Sequence, residues 1–342
     1  MNKRLRTILK YLFFFGIGVF LVWWQFHKMT PAELVKFKYA LNNANYRLIL
    51  PVIVMALLSH ISRAVRWRIL IRPLGYNPSL FNIFSSIMTG YLANSFVTRI
   101  GEILKCTMLS RYEKIPTEKL LGTIVFERIF DLLCYFIFIA VTILVQFQLV
   151  GDFVGTSMKE FFAKNDSFAV LRKLITIIVI ITVVVITLKI LLKKNKNSAF
   201  IARLRNFFDG MKEGISTVKK LKKRRWFLAH TFFIWSMYLL QVYIGFGAIK
   251  EISHLGLDAA CSVLTLATIA MIVMPGGLGA FPTAVAWILG LYLIEEPIGE
   301  AYGFLMWGVT TFIVLFFGLL FTGLAYYANK RKQHEINQQY TG

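Results

Sequence analysis

The chain is poor in acidic residues: 17 Asp and Glu stand against 39 Lys and Arg in 342 residues, a formal charge of +22. So basic a protein often binds nucleic acid. Here, however, the positive residues gather at the ends of apolar runs, the pattern that orients membrane proteins and meets anionic headgroups. The expected partners are therefore membrane lipids, not nucleic acid. Cysteine is scarce as well. Cys106, Cys134 and Cys261 stand singly in apolar surroundings, so neither a disulfide framework nor a zinc site is implied. The five histidines are scattered. The sequence offers no phosphate loop ending in GK[ST], no nucleophile motif, no metal-type acidic cluster and no sizeable polar stretch. We expect no catalytic residue, metal or cofactor.

Apolar sequence is abundant. The chain is 57% hydrophobic, its mean hydropathy is +0.63, and several apolar runs approach the roughly 20 residues that cross a bilayer. This predicts an all-α, polytopic integral membrane protein. Six runs read as full crossings: about 8–26, 47–71, 118–147, 170–192, 226–248 and 303–327. The first has a basic lead (Lys3, Arg4, Arg6, Lys10) and no small-residue cleavage site, so it reads as a retained anchor. Thr30-Pro31-Ala32-Glu33 has capping-box spacing with proline at the first helical position, and predicts a short surface helix to about Leu41.

Charge then sets orientation. Residues 193–225 carry twelve Lys/Arg against Asp209 and Glu213, and read as a cytoplasmic loop. By the same rule Arg63, Arg66, Arg68 and Arg72, the N-terminus and the 329–342 tail lie on the cytoplasmic side. Glu295, Glu296 and Glu300 fit outside; Lys28, Lys36 and Lys38 in the first outer loop are discordant. A bacterial inner membrane is the expected setting, with the whole chain as one membrane domain spanning 8–328 and compatible with a homo-oligomer.

Parity requires two further regions, 81–112 and 258–296, each to leave a face and return to it. Each contains an apolar stretch broken by small or polar residues: SSIMTGYLANSFVTRIGE and IAMIVMPGGLGAFPTA. Both read as broken or re-entrant hairpins, although two short full crossings satisfy the charge rule equally. Interrupted segments in opposed halves point to an inverted repeat around a central transport site.

Glu127, Arg128 and Asp131 lie within the 118–147 run. A charge near the bilayer centre costs roughly 3 kcal/mol, so three in five residues need a shared reason. Glu127 and Asp131 share a helix face and repel unless a cation sits between them; Arg128, Arg99 and Arg66 are the candidates. Arg99, Glu102 and Lys105 are spaced i, i+3, i+6, after Gly90, Tyr91, Asn94 and Ser95. Arg63 lies deeper than Arg68 and Arg72, which read as an interfacial stop, and a guanidinium there suits a lipid phosphate. A buried ion-pair network that only locks the helices together is the competing reading. Met274-Pro275-Gly276-Gly277-Leu278-Gly279-Ala280-Phe281-Pro282 cannot be regular helix. It reads as a turn that exposes backbone amides and positions the N-terminus of the helix after Pro282 toward an anion, or simply as a packing bend.

One ordered set of motifs is more specific. Arg63-x-x-Arg66-Trp67, Gly90-Tyr91-x-x-Asn94, Arg99-x-Gly101-Glu102, Gly122-x-x-x-x-Glu127-Arg128-x-x-Asp131 and Pro275-Gly276-Gly277-x-Gly279 resemble the transmembrane region of lysylphosphatidylglycerol synthases and a wider group of stand-alone flippase-like proteins. The resemblance covers about residues 8–328. It implies a lipid flippase without the soluble aminoacyl-transferase domain, and related proteins acting on polyprenyl phosphates leave the cargo open. On this reading Arg63, Arg66 and Arg99 handle the lipid phosphate. Tyr91, Asn94 and Arg128 complete the binding site. Glu102, Glu127 and Asp131 hold the arginines or accept a cationic headgroup. Pro275, Gly276, Gly277, Gly279 and Pro282 gate the outer side. Transport would be downhill or ion-coupled, with Glu127 or Asp131 as proton carrier. A membrane transferase acting on a lipid-linked donor, and a non-transporting assembly partner, are the alternatives.

Overall fold

The computed structural model describes residue 16 and residues 19–97, 100–146, 221 and 223–341. Among them the chain is helical, with no strand. A helix over 19–28 (α1) is followed by α2 (Pro31–Asn42), α3 (Ile49–Ile71), α4 (Leu80–Phe96), α5 (Ile100–Glu113), α6 (Thr117–Val145), α7 (Arg224–Phe246), α8 (Leu257–Val273), α9 (Ala280–Gly290) and α10 (Glu296–Thr341).

Four helical segments are long and apolar enough to cross a membrane: Tyr46–Leu74, Thr117–Val145, Arg224–Phe246 and Glu296–Arg331. They match the expected crossings at 47–71, 118–147, 226–248 and 303–327. The expected crossing at 170–192 and most of the loop at 193–225 lie outside the described residues, as do 8–15 of the first run. The protein is thus an integral, multi-pass membrane protein. Beyond 328 the expected tail continues α10 to Thr341, because Asn-Lys-Arg-Lys-Gln-His-Glu contains neither glycine nor proline to stop a helix.

Local chemistry explains the boundaries. Thr30 caps α2 as a full capping box: its backbone N–H donates to Glu33 at 2.8 Å and the Glu33 N–H donates to its hydroxyl at 3.3 Å. Ser79 caps α4 by accepting from the Asn82 N–H at 3.1 Å. Glu113, the last residue of α5, accepts from the Ser79 N–H at 3.0 Å and the Asn82 amide at 2.7 Å, closing the base of the α4–α5 pair.

The order long, short, short, long occurs twice, as α3, α4, α5, α6 and as α7, α8, α9, α10. At 1.5 Å per residue the short helices reach only about 16–25 Å, less than the roughly 30 Å hydrocarbon layer. α3 and α7 pack antiparallel: Leu48 meets Gly247 at one end, and Ser62 bonds His230 at 2.8 Å toward the other. α4–α5 share an apolar core with Trp67, Leu70 and Phe227 at one end of this pair. α8–α9 share a second core with Val52, Met55 and Phe246 at the opposite end.

Each first short helix also lies antiparallel to the closing long helix of the other half. Asn82, Thr89 and Leu92 of α4 meet Asn329, Thr322 and Gly318 of α10. Thr265 and Asp258 of α8 meet Tyr135 and Thr142 of α6 and Gln146 just beyond its end.

The two short-helix pairs touch at their turns. A Cβ on Gly276 would come within 3.3 Å of the Ser95 carbonyl, and the Trp307 indole donates to the Gly276 carbonyl at 2.8 Å. Lys28 pairs with Glu296 at 3.2 Å and Lys36 pairs with Glu295. Two of the three discordant lysines of the first loop, Lys28 and Lys36, are therefore neutralised by acidic residues at the same end of the molecule.

Candidate functional site

At the Trp67 end, three helices, α3, α5 and α6, bring seven charged side chains of the described residues together. One helical turn separates Arg63 from Arg66 on α3, so both guanidiniums face α6, where Glu127 and Asp131 are likewise one turn apart. Arg63 Nη1 lies 3.0 Å from Glu127 Oε1 and 3.1 Å from Asp131 Oδ2. Arg66 reaches both carboxylates at 2.8 Å. The sequence demanded a cation between the two acids. Arg66, one of the expected candidates, bridges them, and so does Arg63, which was expected to handle a lipid phosphate while held by these acids.

Arg128 borders the same pair, at 3.3 Å from both Glu127 and Asp131 and 3.8 Å from Glu102 on α5. Lys105 pairs with Glu102 at 2.6 Å. Arg66 and Glu127 are sealed, with side chains 0% and 1% exposed, whereas Arg128 is 43% exposed. The cluster thus has a dry core and an open edge. Among the described residues its four cations outnumber its three carboxylates, a formal excess of one positive charge, and the Nε groups of Arg63 and Arg66 have no partner there.

Several partners were not legible in the sequence. Tyr238 on α7 accepts from Arg63 at 2.9 Å, and Thr231 accepts from Arg66 at 3.2 Å. Trp67 donates to Thr123 at 2.9 Å and lies under the Lys105 ammonium at 5.3 Å. Aromatic and hydroxyl residues in an apolar helix carry no such signal alone; only the packing register selects them.

Tyr91 and Asn94 sit close by with different tasks. Tyr91 packs against His60, ring centroids 4.9 Å apart. The Asn94 side-chain Oδ1 accepts from the Gly101 N–H at 2.8 Å and so closes the α4–α5 turn. A Cβ on Gly101 would fall 2.0 Å from the Gly90 carbonyl, so these helices touch backbone to backbone. Arg99 lies outside the described residues.

The Met274–Pro282 stretch breaks the helix as expected, through a tight turn over Pro275–Gly277 with Gly276, Gly277 and Gly279 at φ of 61°, 68° and 72°. The following helix begins at Ala280, two residues before the expected start. Pro282 falls inside its first turn, where a missing N–H costs no helical bond, and packs against Gly303 of α10. The Gly279 carbonyl accepts from Gln25 at 3.0 Å and Thr283 at 2.8 Å.

These features define a helical, multi-pass membrane protein with a charged, partly open cluster between its helices. Comparison with known proteins places it further: the chain belongs to the family of the lysylphosphatidylglycerol synthase TM region, which matches residues 8–333. It is also similar to a UPF0104 membrane protein of Methanocaldococcus jannaschii, with 23% identity over 289 residues, covering 80% of this chain and 83% of the relative. No solved structure matches it.

Proposed function

We propose that the protein moves a lipid with an anionic phosphate headgroup between membrane leaflets. The observation that carries this reading is the open edge of the charge cluster. Arg128 is exposed beside an excess positive charge, in a helix whose neighbours are apolar, and a guanidinium pairs well with phosphate oxygens. The Arg66–Glu127 core holds the helices in register. Arg63, Asp131, Glu102 and Lys105 surround the headgroup, with Arg99 completing the set.

The twofold order of long and short helices supports an inverted repeat. The short pairs enter as re-entrant hairpins from opposite faces, and their contact at Ser95 and Gly276 closes the path between them. The Pro275–Pro282 segment is then the outer gate. The charge distribution supports cytoplasmic termini in a bacterial inner membrane.

The full burial of Arg66 and Glu127 favours a second reading, in which the cluster is purely structural and the protein is an assembly partner. Lipid movement by the purified protein in proteoliposomes, with fluorescent phosphatidylglycerol and a polyprenyl phosphate, separates the two. Translocation lost in folded Arg128→Gln protein supports transport. No movement of either lipid by the parent, with or without a proton gradient, selects the second reading.

A further inference from the structure

Glu300, expected at the outer end with Glu295 and Glu296, is not exposed like them. It is in the second turn of α10 and only 5% exposed. Among the described residues it takes part in no hydrogen bond or ion pair. An ionised carboxylate removed from water without a partner is costly, and proteins avoid that cost by neutralising the group.

The surroundings do not supply the missing charge. Lys28 of α1 faces Glu300 but is paired with Glu296. Glu33 of α2 and Glu296 of α10 itself add negative charge, and α9, packed against this turn, has no ionisable side chain.

A second observation points to what fills the site. Gln25 of α1 is 6% exposed, and its Nε2 donates to the Gly279 carbonyl and to Thr283. Its Oε1 has no partner. Gln25 and Glu300 line one small pocket of about 20 Å³, enough for a single water, which opens on one side past Lys28 and Glu296. An orphaned acceptor and an unpaired acid thus share one pocket, and a protonated carboxyl is the donor that satisfies both, directly or through that water.

We propose that Glu300 is a proton-binding site that donates to Gln25 Oε1 and so reports its occupancy to the Gly279 turn. The binding site stands on its own geometry; its use as the coupling site for transport rests on the translocator reading. Glu127 and Asp131, the earlier candidates for proton carrier, are each held by arginines, whereas Glu300 has no such partner.

Infrared spectroscopy of the full-length protein in liposomes tests the site without any transport. The expected result is a protonated-carboxyl band at neutral pH that disappears on alkalinisation. It is absent in Glu300→Gln and shifted in Gln25→Leu, with melting temperatures showing that both variants are folded. A band unaltered by Glu300→Gln, or no band even at mildly acidic pH, overturns the proposal; so does radioactive sodium bound in proportion to Glu300. In the coupled arm, an imposed pH gradient drives lipid movement by the parent and not by Glu300→Gln. If the infrared assignment holds while the parent moves no lipid, the proton site stands and the translocator reading falls.

Discussion

Arg66 and Glu127 meet at 2.8 Å with neither side chain measurably reached by solvent. Breaking one half of such a pair leaves an uncompensated buried charge, at a cost of about 3–5 kcal/mol. Arg66→Met and Glu127→Leu should each lower the melting temperature in detergent sharply. The double variant should recover much of the loss, because apolar pairs of similar volume often replace buried ion pairs well. Additive losses in the double variant would show that the two do not act as a unit.

Arg128 should behave differently. Its contacts are partly exposed, and ion pairs in that setting contribute little, about 0–1 kcal/mol. A hydrogen bond to a charged group is worth about 1.5–3 kcal/mol, so Arg128→Gln should weaken binding of an anionic lipid roughly 10- to 100-fold while leaving the melting temperature nearly unchanged. Unaltered lipid affinity in folded Arg128→Gln would remove the open edge as a binding site.

The glycines separate close packing from free space. Gly101→Ala forces a Cβ against the Gly90 carbonyl and Asn94 and should destabilise the α4–α5 pair by at least the 1–3 kcal/mol typical of overpacking. Gly308 lies within α10 with nothing within 4 Å of an added Cβ, so Gly308→Ala should be neutral or stabilising by up to about 1 kcal/mol. Thermal unfolding of the two single variants decides it.

Antiparallel packing between the halves is open to cross-linking. Thr89 and Thr322 have hydroxyls 2.7 Å apart, and those of Thr142 and Thr265 are 3.3 Å apart. With Cys106, Cys134 and Cys261 replaced, Thr89→Cys/Thr322→Cys and Thr142→Cys/Thr265→Cys should each form an intramolecular disulfide under mild oxidation. Failure of both pairs in folded protein would contradict the reciprocal arrangement.

At the capping box, hydrogen bonds from the Thr30 backbone and then its hydroxyl hold the exposed Glu33 carboxyl below its ordinary range. A depressed folded value means the stabilisation is complete above the unfolded value, near 4.5, and is lost as pH falls through the folded one. Hydrogen exchange in α2 should therefore accelerate in acid, and this dependence should vanish in Glu33→Gln.

The long helices were legible because an apolar run of sufficient length has few alternatives. The break at Met274–Pro282 was legible because glycines and prolines at that density cannot continue a helix. Glu127 and Asp131 announced themselves by their cost in an apolar run. What sequence could not provide was which helix faces which. Arg63 was not among the cations expected between Glu127 and Asp131, because periodicity within α3 fixes a face but not its neighbour. Tyr238 and Thr231 were invisible until α7 was laid antiparallel to α3. The burial of Glu300 was not legible because it is set by how α1 and the start of α10 pack, which the residues beside it do not reveal.

α10 touches one short-helix pair at Gly299, Gly303 and Trp307, and the other at Gly318, Thr322 and Asn329. A continuous helix resists change in length, since every turn is tied to the next by backbone hydrogen bonds. The two pairs therefore share one strut. Trp307 and Thr322 thus lie on one continuous helix, and the contacts of the two pairs are tied through it.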